Sequence, residues 1–191
     1  VPASGVTDVY LQNEVYRNTT NASLTVQYVV EARGTIANCL GDQRTITITI
    51  DPEPVVAATL NDDVCSGAVV GLVLNTNGVS VAAANYNIVS RTVDPALNPV
   101  AQVAVPQVGV GTGYLQNEIY ENTTNAPLTV TYVVEAIGTI NGCLGDQRTI
   151  VITIDPEPVI QPGLDATVCS DNNVNLVLAT NGTSVGALNY D

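Results

Sequence analysis

Apolar and polar residues alternate most regularly in two kinds of segment, and the chain carries each of them twice. In Leu128-Thr129-Val130-Thr131-Tyr132-Val133-Val134-Glu135-Ala136, the residues Leu128, Val130, Tyr132, Val134 and Ala136 share one face. Thr129, Thr131, Val133 and Glu135 share the other, which is polar except at Val133. A period of two residues is that of a half-buried strand. Thr45 to Ile50 alternates Thr and Ile without a fault, and Thr149 to Ile154 nearly so. Gly41-Asp42 and Gly145-Asp146 stand between the paired strand signals, with Asn141-Gly142 added in the second, so a hairpin is predicted in both places. Val70 to Asn75, matched by Val174 to Ala179, reads as a third strand ending near the turn signals Asn77-Gly78 and Asn181-Gly182. No stretch sustains a helical apolar period. The pattern predicts an all-β chain of short strands and frequent turns.

The matched segments belong to a longer internal repeat. Tyr10-Leu11-Gln12-Asn13-Glu14 returns as Tyr114-Leu115-Gln116-Asn117-Glu118, and Cys39-Leu40-Gly41-Asp42-Gln43-Arg44 as Cys143-Leu144-Gly145-Asp146-Gln147-Arg148. The offset is about 104 residues without a gap, and roughly two-thirds of overlapping positions are identical, which is the signature of a tandem array. Asp51-Pro52-Glu53-Pro54 follows the most regular strand and returns as Asp155-Pro156-Glu157-Pro158. Two prolines cannot continue a strand ladder, and they stiffen the chain into an extended link, so these segments read as joints between domains. The expected division is residues 1–54, the second half of one repeat; 55–158, a complete repeat of a size normal for a β-sandwich; and 159–191, the first half of a further repeat. This phase predicts either a window on a longer array or half-domains of neighbouring chains that complete each other. In the second case Val174 to Tyr190 would supply strands to Val1 to Ile50 of the next chain.

Composition narrows the chemistry further. The chain has 191 residues, 46% of them hydrophobic, with no Phe, Trp or Met and eight Tyr, so its core is built from aliphatic side chains and tyrosine. All five basic residues are Arg, and there is no Lys or His. That removes imidazole acid–base catalysis, His-ligated metals, Schiff-base chemistry and Lys–Asn isopeptide cross-links. A formal net charge of −13 with five scattered Arg cannot neutralise a phosphate backbone, so no nucleic-acid partner is expected. No apolar run reaches the length of a membrane span, and no membrane insertion is expected. Paired carboxylates invite a glycosidase reading, but the acids recur at matching positions as a shared surface would, and no Trp offers a platform for a sugar ring. The sequence is not expected to be an enzyme.

Val64-Cys65-Ser66-Gly67, the strand Tyr132 to Ala136 leading to Gly142-Cys143, and the Thr/Ile strand closed by Asp-Pro-Glu-Pro together carry a family resemblance. The chain resembles the PKD-like and Ig-like tandem repeats of giant secreted surface proteins, adhesins and filaments among them, of gliding and related Bacteroidota. The resemblance implies Ig-like (PKD-like) β-sandwich repeats, an extracellular location at the cell surface, and a role in adhesion, surface filaments or motility. It carries over no catalytic residue. The lack of Phe and Trp departs from many domains of this kind.

Four cysteines occur, two per period, as Cys39, Cys65, Cys143 and Cys169, and none has the CxxC spacing of zinc sites. In an exported protein they read as disulfide candidates. Three states compete: Cys65 with Cys143 inside the complete repeat, Cys39 with Cys65 and Cys143 with Cys169 across the joints, or free thiols. The first suits the family pattern. Carboxylates present in both copies are Glu14/Glu118, Glu31/Glu135, Asp42/Asp146, Asp51/Asp155 and Glu53/Glu157, and they read as a solvated acidic surface. Asp51, Glu53, Asp155 and Glu157 flank the joints and are the calcium candidates, although no DxDxDG-type loop is present. Asn18-Thr19-Thr20, Asn21-Ala22-Ser23, Asn122-Thr123-Thr124 and Asn181-Gly182-Thr183 fit the N-glycosylation pattern and read as exposed turns.

The expected function is structural: an extracellular repeat forming the body of a cell-surface filament or adhesin stalk, with neighbouring repeats or identical chains as partners. The rival is an adhesive module in which the loops Val79 to Asn98 and Tyr114 to Asn125 recognise surface glycans. Near-identity of Tyr114–Asn125 with Tyr10–Asn21 favours the structural reading.

Overall fold

The computed structural model describes residues 3–191, so Val1 and Pro2 lie outside the described residues. The described chain is all-β and contains no helix. Nine strands follow in order: β1 Leu24–Arg33, β2 Leu40–Ile50, β3 Asp62–Cys65, β4 Ala83–Val93, β5 Asn98–Ala101, β6 Gln107–Val110, β7 Ile119–Glu121, β8 Leu128–Gly138 and β9 Arg148–Asp155. β1 and β2 form a two-stranded sheet, β3-β9-β8-β4-β6 a five-stranded one, and β5-β7 a second two-stranded one. The arrangement is consistent with a β-sandwich.

The two hairpins share a register: Leu24 faces Ile50 in β1–β2, as Leu128 faces Ile154 in β8–β9. Their surroundings differ. Val130, Tyr132, Val134, Ala136, Ile150, Ile152 and Ile154 are buried, whereas Val30, Ile46 and Ile48 at the matching positions of β1–β2 are exposed. The hydrophobic core lies wholly between Val56 and Ile154. It forms because β4 widens the sheet beside β8, and Val70, Leu72, Leu74, Leu115 and Tyr120 join the apolar residues of β4, β8 and β9 in one core, burying area worth roughly 25 cal/mol per Å².

Three expectations are corrected. Val70 to Asn75 is not a regular strand, although Val70, Leu72 and Leu74 are buried in alternation. Gly71 at φ +68° breaks the pleat, and the segment instead donates single bonds from Val70, Gly71 and Leu74 to the carbonyls of Glu118, Gln116 and Thr112. Val174 to Ala179 forms no strand either. Gly41-Asp42 lies inside β2, and the hairpin reverses earlier, at Ala37-Asn38 and Asn141-Gly142, all four with positive φ. Val79 to Asn98 is no loop. It holds β4, which lies between β8 and β6 in the five-stranded sheet.

Candidate functional site: the joint between repeats

The joints are where matching residues make matching contacts. At the first, Glu53 N–H donates to Asn18 O (2.8 Å), Val55 N–H to Ser80 Oγ (2.9 Å) and Val81 N–H to Thr20 O (3.0 Å). At the second, Glu157 N–H donates to Asn122 O (3.0 Å), Val159 N–H to Ser184 Oγ (2.9 Å) and Val185 N–H to Thr124 O (3.2 Å). At each joint one bond, from Val81 or Val185, crosses from the turn after Asn77 or Asn181 to the loop at Thr20 or Thr124, and the other two hold the proline segment to the loop before it and to the turn after it. Those turns are themselves held by Asn77 Oδ1 and Asn181 Oδ1, which accept from Ser80 N–H and Ser184 N–H at 2.8 Å.

The loops that anchor the joints are built on Asn18 and Asn122. Asn122 Nδ2 donates to Ala126 O (2.9 Å) and Ile154 O (2.8 Å), while its Oδ1 accepts from Thr124 N–H and Oγ–H (3.1 and 2.7 Å). Asn18 repeats all four contacts with Ala22, Ile50 and Thr20. Both asparagines are buried with both amide hydrogens engaged, which corrects their reading as exposed turn residues. A buried amide with no free hydrogen is not a glycan acceptor in the folded chain.

Proline packing completes the first joint. Pro54 is buried against Gly138 and Gly145, and a Cβ on Gly145 would lie 1.9 Å from the Pro54 carbonyl oxygen. Side chains add a variable layer. Arg17 Nε donates to Glu53 at 2.6 Å and its Nη2 to Asp146, while Asn141 Nδ2 donates to Asp51 at 2.5 Å. The Arg17 side chain is exposed, so its ion pairs are screened. At the second joint Glu121 stands at the Arg17 position and accepts from Asn98 Nδ2 (2.8 Å). Backbone bonds therefore fix the joint, and the charges decorate it.

The calcium candidates separate accordingly. Asp51 accepts from Ser23 and Asn141, whose hydrogen bonds hold its carboxyl below the usual range, and Glu53 pairs with Arg17. Among the described residues no three acidic or cysteine side chains gather as a metal site would require. Asp155 pairs along β3, and Glu157 approaches Gly67.

All four cysteines are free thiols in the structure, and the predicted pairs do not meet. Cys65 stands beside Asp155 at the end of β9, whereas Cys143 precedes the start of that strand. An eight-residue strand separates them by more than about 20 Å, far beyond the roughly 7 Å that a disulfide tolerates. Cys39, Cys65, Cys143 and Cys169 are likewise unpaired across the joints.

Sequence reasoning also missed a buried polar cluster. Glu118, expected at the surface, is fully buried. Its Oε1 accepts from Arg91 Nη1 (2.5 Å) and Val103 N–H (3.0 Å), and its Oε2 from Tyr120 (2.8 Å) and Tyr132 hydroxyls. Glu14 at the matching position is exposed beside Tyr16 and Tyr28, whose hydrogen bonds lower its pKa. The signal available in sequence was the Glu-x-Tyr pair followed by a Tyr in the next strand, present in both copies.

The chain matches no family model, no curated protein and no solved structure.

Proposed function

We propose that this chain is a structural extracellular repeat that forms the body of a cell-surface filament or adhesin stalk, built from Ig-like (PKD-like) sandwiches joined end to end. The observation that carries this reading is the equivalence of the two joints, each with the same three hydrogen bonds at matching residues, two between backbone groups and one from a backbone N–H to a serine hydroxyl. A joint fixed by backbone bonds and proline sets a constant angle between successive units, and constant angles make a rod with a regular repeat. The high negative charge keeps such a rod dispersed in water.

Immunogold electron microscopy of the source cells, with antibody raised against this chain, tests the proposal. Label along surface filaments with an axial spacing on the order of 40 Å, an eleven-residue strand plus a joint, is the expected result. Label confined to the cell interior would overturn it.

A further inference from the structure

We infer that the peptide bond between Asp155 and Pro156 is a self-cleaving site, at which acid lets the aspartate carboxyl cut the chain at the second joint. Asp51-Pro52 and Asp94-Pro95 carry the same pair of residues. The chemistry is open to all three bonds, so the structure around each decides which one reacts.

The step balances with water as the only co-reactant. A carboxyl oxygen of Asp155 attacks the carbon of its own backbone carbonyl, and the new C–O bond closes a succinic anhydride ring. The C–N bond to Pro156 breaks. Its electron pair stays on the proline nitrogen, which takes a proton from the acid solution and leaves as a secondary ammonium group. One water then opens the anhydride to two carboxyls, so the net change is hydrolysis of one peptide bond. Proline suits the leaving role because its nitrogen belongs to a tertiary amide, which takes up a proton more readily than a secondary one.

Two conditions favour attack: a polarised carbonyl and a carboxyl free to turn onto it. The Asp155 carbonyl accepts from Ser66 N–H at 2.9 Å, which draws electrons from the carbon and stabilises the charge that builds on the oxygen. The donor is held in place, since Ser66 Oγ accepts from Asn122 N–H at 2.8 Å and Gly67 N–H donates to Tyr120 O at 2.9 Å. At the first joint both carboxyl oxygens of Asp51 are engaged, Oδ1 by the Ser23 hydroxyl at 2.6 Å and Oδ2 by Asn141 Nδ2 at 2.5 Å. These bonds hold that carboxyl below the usual range and make it a weaker nucleophile. Pro127 stands where Ser23 does, so the second joint has no hydroxyl to restrain Asp155. Asp94 has a polarised carbonyl, bonded by Leu97 N–H at 3.0 Å, but its Oδ1 accepts from Ala96 N–H at 2.9 Å and is held in the turn. Asp155 alone combines the two conditions.

The position of the bond gives the cut a consequence. The hydrophobic core lies between Val56 and Ile154, and Asp155 follows directly. Cleavage therefore detaches the segment beyond the joint and leaves the packed core whole.

The test holds the full-length chain at the lowest pH at which its β-sheet circular dichroism persists, and follows fragments by intact-mass spectrometry. Fragments ending at Asp155 and starting at Pro156 should form severalfold faster than those from the other two bonds. Asp51 and Asp155 share the local sequence Ile-Asp-Pro-Glu-Pro-Val, so in guanidinium chloride at the same pH their rates should become equal. Pro127→Ser, which supplies the missing hydroxyl, should slow the cut at Asp155, and Ser23→Ala should speed the one at Asp51. Asp155→Glu, which would have to close a larger ring, should lose the fragment starting at Pro156 and keep the others. Equal rates in the folded chain, a lead of Asp155 that persists in denaturant, or indifference to Pro127→Ser would each overturn the inference. The cut is read on purified chain, so its failure leaves the structural reading untouched.

Discussion

Glu14 and Glu118 carry the same side chain in the same local sequence, yet one is solvated and the other is sealed beside Arg91. Removing one partner of a buried pair strands the other, which costs about 3–5 kcal/mol. Glu118→Ala should therefore lower the unfolding free energy of the central core, read from urea unfolding, by an amount in that range, and Glu14→Ala should leave it unchanged. Equilibrium unfolding of both variants makes this an internally controlled comparison. The tyrosines give the same cluster a pH signature. Burial first, and then the hydrogen bond to Glu118, raise the Tyr132 pKa well above the ordinary value of about 10. A raised folded-state pKa means that the stabilisation is complete below the unfolded value and is lost as pH rises beyond it. Stability should hold to about pH 10 and fall steeply above it. Tyrosinate absorbance should rise together with loss of the β-sheet spectrum rather than before it. Neither effect was legible in the residues themselves, because burial of Glu118 depends on Arg91 and Val103, which lie far from it in sequence.

At the scale of elements, regularity decided what could be read. β8 and β9 were legible because one face of each is buried without interruption, so their side chains alternate. β4 was not, because its register shifts twice against β8, between Ala83 and Asn85 and between Ile88 and Ser90, and each bulge resets the period. β3, β5, β6 and β7 are only three or four residues long, too short for periodicity to register. The joint was legible as a stiff segment from its prolines, but its seat was not, since Gly138 and Gly145 lie some 90 residues from Pro54. That seat yields a comparison of its own. Gly145→Ala forces a Cβ to within 1.9 Å of the Pro54 carbonyl, so the proline must leave its place or the hairpin must move. Overpacking of this kind costs typically about 1–3 kcal/mol. Gly41→Ala, at the matching position, meets only the Ala32 carbonyl at 3.4 Å, an ordinary contact. Small-angle scattering should show a broader distribution of inter-repeat distances for Gly145→Ala and an unchanged one for Gly41→Ala. Equal behaviour of the two would mean that Pro54 does not set the joint.

For the whole molecule, the decisive contrast is between the same hairpin covered and uncovered. β1–β2 and β8–β9 repeat each other in sequence and register, which leaves tertiary cover as the main difference between them. A lone two-stranded sheet is marginally stable in water, whereas strands within a packed core open only with global unfolding. In dilute monomer, the amides of Val130, Tyr132 and Val134 should therefore exchange with solvent at the slow global rate. Those of Val26, Tyr28 and Val30 should exchange at least about a thousandfold faster, because a few kcal/mol separates local from global opening. Raising the chain concentration should slow the second group and leave the first untouched, since only the uncovered hairpin gains a partner. Concentration-independent exchange in β1 would show that its apolar face is not covered by another chain. Slow exchange there in dilute monomer would show that the hairpin is stable without any cover at all.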